Sequence, residues 1–364
     1  MRRLFCISTL LCIFVAAAAA DVLPNPPDHV ATMVEHLGRG DHALTVTHHG
    51  EWTRVDRNDG QRLTTEYVGH GGATQVYVYP DGTDYFQAVF TIPGTDYGPL
   101  WDTSVRKTDE HGTVLGEPCT VWNVRRDSRP GRGRKGLEKL SCISEDGIEL
   151  SYQWIGSLGS LSSTHATHVE RRPVDPNDVR PPRALLTLDW WDQVGSAPAT
   201  TPPTPDYETV MGPEGQVADG LELVRTTRHH YPWTYVEESK GGVRLNLTIS
   251  HELNWTGIVF YDDGKQKQLA ITKSRRPSPQ QNPKDLNEEE VVLGESCRWF
   301  DLTQAMDAGV DECRTNDHIA LKHRRWVFGS SRTLTAGHFL RRPVGLNEVR
   351  PPAAILDPSF WGLE

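Results

Sequence analysis

After its first twenty residues the sequence has no apolar stretch long enough to cross a bilayer, where a helical span needs about 20 residues, so a mature chain free of membrane helices is expected. Cysteine is scarce: six in all, two of them (Cys6 and Cys12) inside the N-terminal apolar run. No Cys-x-x-Cys occurs and no histidine stands at ligand spacing beside a cysteine, which argues against a redox pair or a cysteine-based metal site. No Gly-x-Ser-x-Gly elbow, Walker loop, dinucleotide fingerprint, His-Glu-x-x-His or EF-hand loop is present. Ser104-x-x-Lys107 lacks the partner motifs of penicillin-recognising enzymes, and His70-Gly71-Gly72 has no nucleophile elbow to serve. Positive charge is also in short supply. The 38 Lys and Arg, less Arg2 and Arg3 of the leader, face 48 Asp and Glu, a formal charge of −12. An acidic body of this kind excludes nucleic acid as the main partner and argues against a general affinity for anionic membranes.

What is present begins with a leader. Met1-Arg2-Arg3 is followed by an apolar run from Leu4 to Val15, five alanines and Asp21. That order of charged, apolar and small residues is a secretory signal over residues 1–20, and it predicts a periplasmic or secreted protein. Export permits disulfides.

The remaining chain contains one stretch twice. Leu115-Gly116-Glu117-Pro118-Cys119, Cys142, Arg171-Arg172-Pro173-Val174 and Val179-Arg180-Pro181-Pro182 lead to Trp191. Leu293-Gly294-Glu295-Ser296-Cys297, Cys313, Arg341-Arg342-Pro343-Val344 and Val349-Arg350-Pro351-Pro352 lead to Trp361. From the arginine pairs to the tryptophans the offset is a constant 170 residues. Such order and identity mark an internal duplication. Each copy then holds its own cysteine pair, so the four mature cysteines resolve into Cys119–Cys142 and Cys297–Cys313. The boundary falls in the Pro/Thr run Ser196–Pro205, which is expected to be extended and semi-rigid. The expected organisation is a first β-rich domain over 21–191 with an N-terminal helix, a linker over 192–219 and a second β-rich domain over 220–364.

Local patterns fill in the units. Val30, Met33, Val34 and Leu37 have helical spacing within Asp28–Leu37. From Ala43 the period becomes two. Gln75–Tyr79 and Tyr85–Ile92 around Pro80-Asp81-Gly82-Thr83, and Gly257–Tyr261 and Gln268–Thr272 around Asp262-Asp263-Gly264-Lys265, read as equivalent hairpins. Cys119–Val124, Glu138–Ile143, Ser160–Glu170 and Arg332–Leu340 read as strands. The proline pairs mark edge or crossover segments, and Trp190-Trp191 and Phe360-Trp361 are expected to plug the open end of each copy's core. The fold class that follows is mainly β with minor α: two tandem antiparallel-sheet domains, each with one disulfide.

Few charged residues recur in fixed motifs. Glu117 with Arg171, Arg172 and Arg180, and Glu295 with Arg341, Arg342 and Arg350, read first as structural ion pairs at strand ends and second as a polar site present twice. Arg125, Arg126, Arg129, Arg132 and Arg134 crowd the stretch 125–135, first a solvated hairpin tip and second an anion-binding loop. His48-His49 recurs as His229-His230; adjacent strand residues face opposite ways, so each pair is expected to place one ring inward and one outward. His165 and His168 face opposite sides of a strand for the same reason, and neither they nor any other residues are assigned a metal or cofactor.

A leader, a helix and then antiparallel strands in a unit of about 150 residues resemble, in element order, the half-barrel domains of bacterial periplasmic lipoprotein carriers. The whole chain is similar to duplicated envelope proteins of Gram-negative bacteria. The resemblance implies an open, curved sheet that could hold an apolar or amphipathic, lipid-like ligand against Trp52, Tyr77, Tyr79, Trp233, Phe260 and Tyr261. Two alternatives stand beside it: a structural or partner-binding envelope protein, and a hydrolase whose carboxylates meet only in the fold.

Overall fold

The computed structural model describes residues 23–38, 40–60, 62–69, 72–78, 85–93, 103–126, 137–156, 159–187, 204–214, 223–251, 256–262, 266–274, 283–303, 307–361 and 363. Residues 1–22, most of the Pro/Thr run and most of the basic stretch lie outside them. In the first repeat the strands are β1 (His29–Leu37), β2 (Gly40–His49), β3 (Trp52–Asn58), β4 (Leu63–Gly69), β5 (Gly72–Val78), β6 (Tyr85–Pro93), β7 (Thr103–Val114), β8 (Glu117–Arg126), β9 (Leu137–Ser144), β10 (Glu149–Gly156) and β11 (Gly159–Arg171). The second repeat supplies β12 (Tyr207–Pro213), β13 (Leu223–His230), β14 (Trp233–Lys240), β15 (Val243–His251), β16 (Thr256–Asp262), β17 (Gln266–Ser274), β18 (Lys284–Val292), β19 (Glu295–Asp301), β20 (Ala308–Arg314), β21 (Ala320–Val327) and β22 (Ser330–Leu340). The protein is mainly β.

Each repeat is a chain of hairpins folded back so that its first strand pairs its last: β1 with β11, and β12 with β22. β7 to β11, then β1 to β6, lie side by side, and β18 to β22 with β12 to β17 repeat that order. The two sets meet at β6 and β17, giving one antiparallel sheet of 22 strands. The strands of both expected hairpins and the expected long strands are in it; the turns at 80–83 and 263–265 lie outside the described residues.

The seam pairs a strand with its own counterpart. Trp52 and Trp233, like His48 and His229, are 181 residues apart, and the same offset carries buried Ala88 and Phe90 onto buried Leu269 and Ile271. In the ladder Ala88 faces Ile271, Phe90 faces Leu269, and Val89 at the centre faces its own equivalent, Ala270. This is the self-complementary register of a two-fold interface, here built within one chain. The outer strands β7 and β18 each carry a register break at the matching place, between Lys107 and His111 and between Asp285 and Glu289. Charges and bulges at sheet edges discourage pairing with another chain.

Two elements differ from the sequence reading. Residues 29–37 form a strand, not a helix. Their inward set is His29, Ala31, Met33 and Glu35, so two polar side chains interrupt the apolar alternation, while Val30, Met33, Val34 and Leu37 mimic a helical stripe. The buried polar groups are satisfied: His29 Nδ1 lies 2.8 Å from the Pro27 carbonyl, and Arg57 donates to Glu35 at 3.0 Å. Likewise Tyr207–Pro213, inside the stretch assigned to the linker, is β12, burying Tyr207, Thr209 and Met211 by strict alternation. It is the counterpart of β1, with Asp206 and Met211 in the places of Asp28 and Met33.

The disulfides are the pairs expected from the duplication, each tying neighbouring strands: Cys119–Cys142 across β8 and β9, and Cys297–Cys313 across β19 and β20. The proline-rich segments cover the sheet instead of forming edges. The short helix α1 (Pro176–Val179) lies on β2 and β3, and α2 (Leu346–Val349) lies on β13 and β14. A 3-10 turn follows each (Arg183–Leu186; Ala353–Leu356), with a last one at Pro358–Trp361. Under these covers lies a core common to both repeats, in which Trp52, Phe90, Val179 and Leu186 meet Trp233, Ile249, Phe260 and Trp361. Trp361 therefore plugs a shared core, 5.8 Å from Phe90 of the first repeat and 6.5 Å from Phe260 of the second. Trp190 and Trp191 lie outside the described residues.

Candidate functional site

Two identical fastenings hold the covers down. Asp28 accepts from His49 Nδ1 at 2.8 Å and from the Val174 amide at 3.1 Å. Asp206 does the same with His230 at 2.9 Å and Val344 at 3.0 Å. The His49 bond and then the Val174 amide hold Asp28 below the usual carboxylate range. The other member of each histidine pair turns inward: His48 is buried on His29, His229 on Tyr207. Burial pushes the His29 and His48 imidazoles down. The paired histidines thus serve the architecture.

The duplicated charges gather at one hairpin end of each repeat. The β7–β8 turn is Leu115-Gly116, and Glu117 opens β8. The β9–β10 turn brings in Asp146, with Ser144 Oγ donating to it at 2.6 Å. Arg171, at the end of β11, donates to Glu117 and, through Nε, to Asp146 at 2.7 Å. Arg341 repeats this, with Glu295 and Asp317 both at 2.9 Å and Thr315 in the place of Ser144. In the first repeat Glu117, Pro118, Glu145, Asp146 and Arg171 line an open surface pocket of about 400 Å3. The second carboxylate of each triad was missed in the sequence. Its signal was the repeated Asp in Glu145-Asp146-Gly147 and Asn316-Asp317-His318.

The other repeated arginines go elsewhere. Arg172 pairs with Glu170 at 3.2 Å on the surface. Arg342 binds Glu208 at 3.0 Å and Glu348 at 2.7 Å. Arg350 gives its amide to the Leu346 carbonyl, and Arg180 stands beyond Val179 where α1 ends. The side chains of Arg125 and Arg126, and all of Arg129, Arg132 and Arg134, lie outside the described residues.

The Arg171–Asp146 pair is built to stay charged. The guanidinium of Arg171 holds the Asp146 carboxyl down at about 2, and the two carboxylates raise the arginine in turn. Neither group changes protonation near neutrality, which suits a fixed electrostatic feature and not proton transfer. A stability consequence follows, with its sign set by a depressed carboxylate. Its contribution is full above the unfolded value of about 3.9 and fades as pH falls towards about 2. Arg171→Met should therefore lower the urea midpoint at pH 6 and make almost no difference near pH 2. An equal deficit at both pH values would show that the residue acts through packing alone.

Beside each triad sits a leucine in an unusual state. Leu115 has φ 55° and Leu293 φ 53°, each followed by a glycine near 80°. Both central residues of such a tight hairpin turn need positive φ, which Asn-Gly supplies cheaply and leucine does not. Nor does burial compensate: Leu115 is 55% and Leu293 56% exposed. Val291, two residues before Leu293, is exposed as well.

The aromatic residues proposed as ligand walls are placed differently. Trp52, Trp233 and Phe260 are buried filling in the shared core, and Trp52 lies flat against Gly69, where a Cβ would meet its indole at 2.3 Å. Tyr261 points to the opposite, exposed face, as the strand period requires. Tyr79 and the side chain of Tyr77 lie outside the described residues. These rings do not form one wall, because the alternation that exposes Tyr261 buries Phe260.

Comparison of the sequence with models of protein families and with characterised proteins returns no match. Among solved structures the chain is similar to MucB, in a crystal structure of MucB in complex with MucA(peri). The TM-score is 0.24 and the identity 16%, over 68% of this chain and 87% of that one. A likeness at that level carries no argument about function. Among the described residues no helix is long and apolar enough to cross a membrane.

Proposed function

We propose that this is an exported, partner-binding protein that presents the same docking platform twice: a leucine-tipped hairpin beside an arginine held between two carboxylates. The observation that carries the reading is the pair Leu115 and Leu293. Left-handed backbone at a non-glycine residue costs about 1–2 kcal/mol, and an exposed side chain offsets none of it. Folding would be better served by asparagine at both places, yet both repeats have leucine. A bulky apolar knob kept against the interest of stability points to something outside the chain that receives it. The triad gives the platform a rigid polar rim, the usual surround of an apolar anchor at a protein interface.

The test is a photo-crosslinking side chain at position 115, at position 293 and, as a control, at Val68, which is exposed on β4. In a native envelope extract the first two positions should yield a shared protein adduct that position 68 does not. Adducts no stronger than those from position 68 would overturn the reading.

A further inference from the structure

We infer that His36 and His165 form a divalent transition-metal site peculiar to the first repeat. His36 stands near the end of β1 and His165 within β11, and the β1–β11 ladder sets Val34 opposite His165, so both rings emerge on one face. His36 Nε2 lies 3.3 Å from His165 Nδ1. Two nitrogens each about 2.0–2.1 Å from a tetrahedral metal stand roughly 3.3–3.4 Å apart. The strands already hold the pair at chelating distance.

The outer contact of His36 fits the same chemistry. Its Nδ1 is 2.6 Å from Oδ1 of Asp41, its ladder partner at the start of β2. A carboxylate on one ring nitrogen keeps the proton there and leaves the other nitrogen's lone pair free, the arrangement that orients metal-bound histidines. That lone pair points at His165. The rings are inclined by 20°, and a turn about the soft terminal torsion of His165 brings its own lone pair to the shared point.

Among the described residues no third histidine, cysteine or carboxylate joins the pair in a metal-binding group, so water completes the coordination. Two imidazoles and water favour Cu(II) over Ni(II) and Zn(II). The second repeat has Glu214 and Thr335 at the matching positions, and Glu214 is engaged by Lys322 at 2.6 Å. One metal ion per chain is expected.

Isothermal titration of the full chain with Cu(II), Ni(II) and Zn(II) tests this, with copper EPR to count coordinated nitrogens. The wild type should bind one equivalent of Cu(II) through two imidazoles. His36→Ala and His165→Ala should each weaken binding at least about tenfold. Asp41→Asn, which spares both ligands, should weaken it by about 10- to 100-fold, as loss of an orienting carboxylate does. The slip in the β1–β11 register between Thr32 and Met33 turns His168 to the same face as His165, not the opposite face that simple alternation predicts. It joins no metal-binding group with the pair, so His168→Ala should change nothing. Absence of saturable binding, or unchanged affinity in either histidine variant with the fold intact by circular dichroism, would overturn the assignment.

Discussion

Trp361→Ala is expected to lower stability by about 3–5 kcal/mol, the range for deleting a large buried ring. The indole is buried, touches Phe90, Phe260 and Phe360, and donates to the Ile355 carbonyl at 2.9 Å. Truncation would leave a cavity with walls from both repeats and an orphaned carbonyl at its edge. The readout is the denaturant midpoint followed by fluorescence and by circular dichroism. Because the core under α1 and α2 is common to both repeats, the wild type should lose the central sheet in one transition. The variant should lose it earlier. A deficit below about 1 kcal/mol would mean that the C-terminal turn is a dispensable cover.

The same core explains why the repeats are not independent in the way their sequence suggests. The cysteine pairing and the Glu117–Arg171 and Glu295–Arg341 contacts are legible because they rest on motifs that recur as short identical strings. The seam is not. The hairpin patterns mark β6 and β17 as equivalent, but nothing in either strand says that the two pair with each other, with Val89 facing Ala270.

β1 is hidden in the sequence for a related reason. A strand with neighbours on both sides can bury His29 and Glu35 if other strands supply their partners, and the two polar side chains then erase the alternation on which sequence reading depends. Asp28 and Asp206 were invisible because each meets its histidine across a ladder and its backbone amide across 146 and 138 residues. His165 has a neighbour in sequence in His168, but its partner lies 129 residues away on β1. Local strings show what is repeated; pairings between distant strands show what is assembled.

The strongest separation of folding from function is expected from the double change Leu115→Asn with Leu293→Asn. Each leucine holds a left-handed backbone at a cost of about 1–2 kcal/mol, and asparagine adopts that conformation readily. With more than half of each leucine in water, little apolar burial is forfeited. The double variant should gain about 2 kcal/mol, seen as a higher urea midpoint with an unchanged slope. Capture of the crosslinked partner should fall sharply in the same protein, since an apolar anchor at the centre of a contact typically contributes about 2 kcal/mol or more. Gain of stability with loss of binding is the pattern left when a site has been kept at the expense of the fold. The opposite result, a variant less stable than the wild type, would show that the leucines are packed to some structural end and would remove the reason for assigning them a partner. Testing each leucine alone sharpens the point. If the two platforms engage one partner together, either single change should weaken capture far more than by half, because the second contact of a bivalent complex forms at high effective concentration; if they act separately, each single variant should retain one full-strength site.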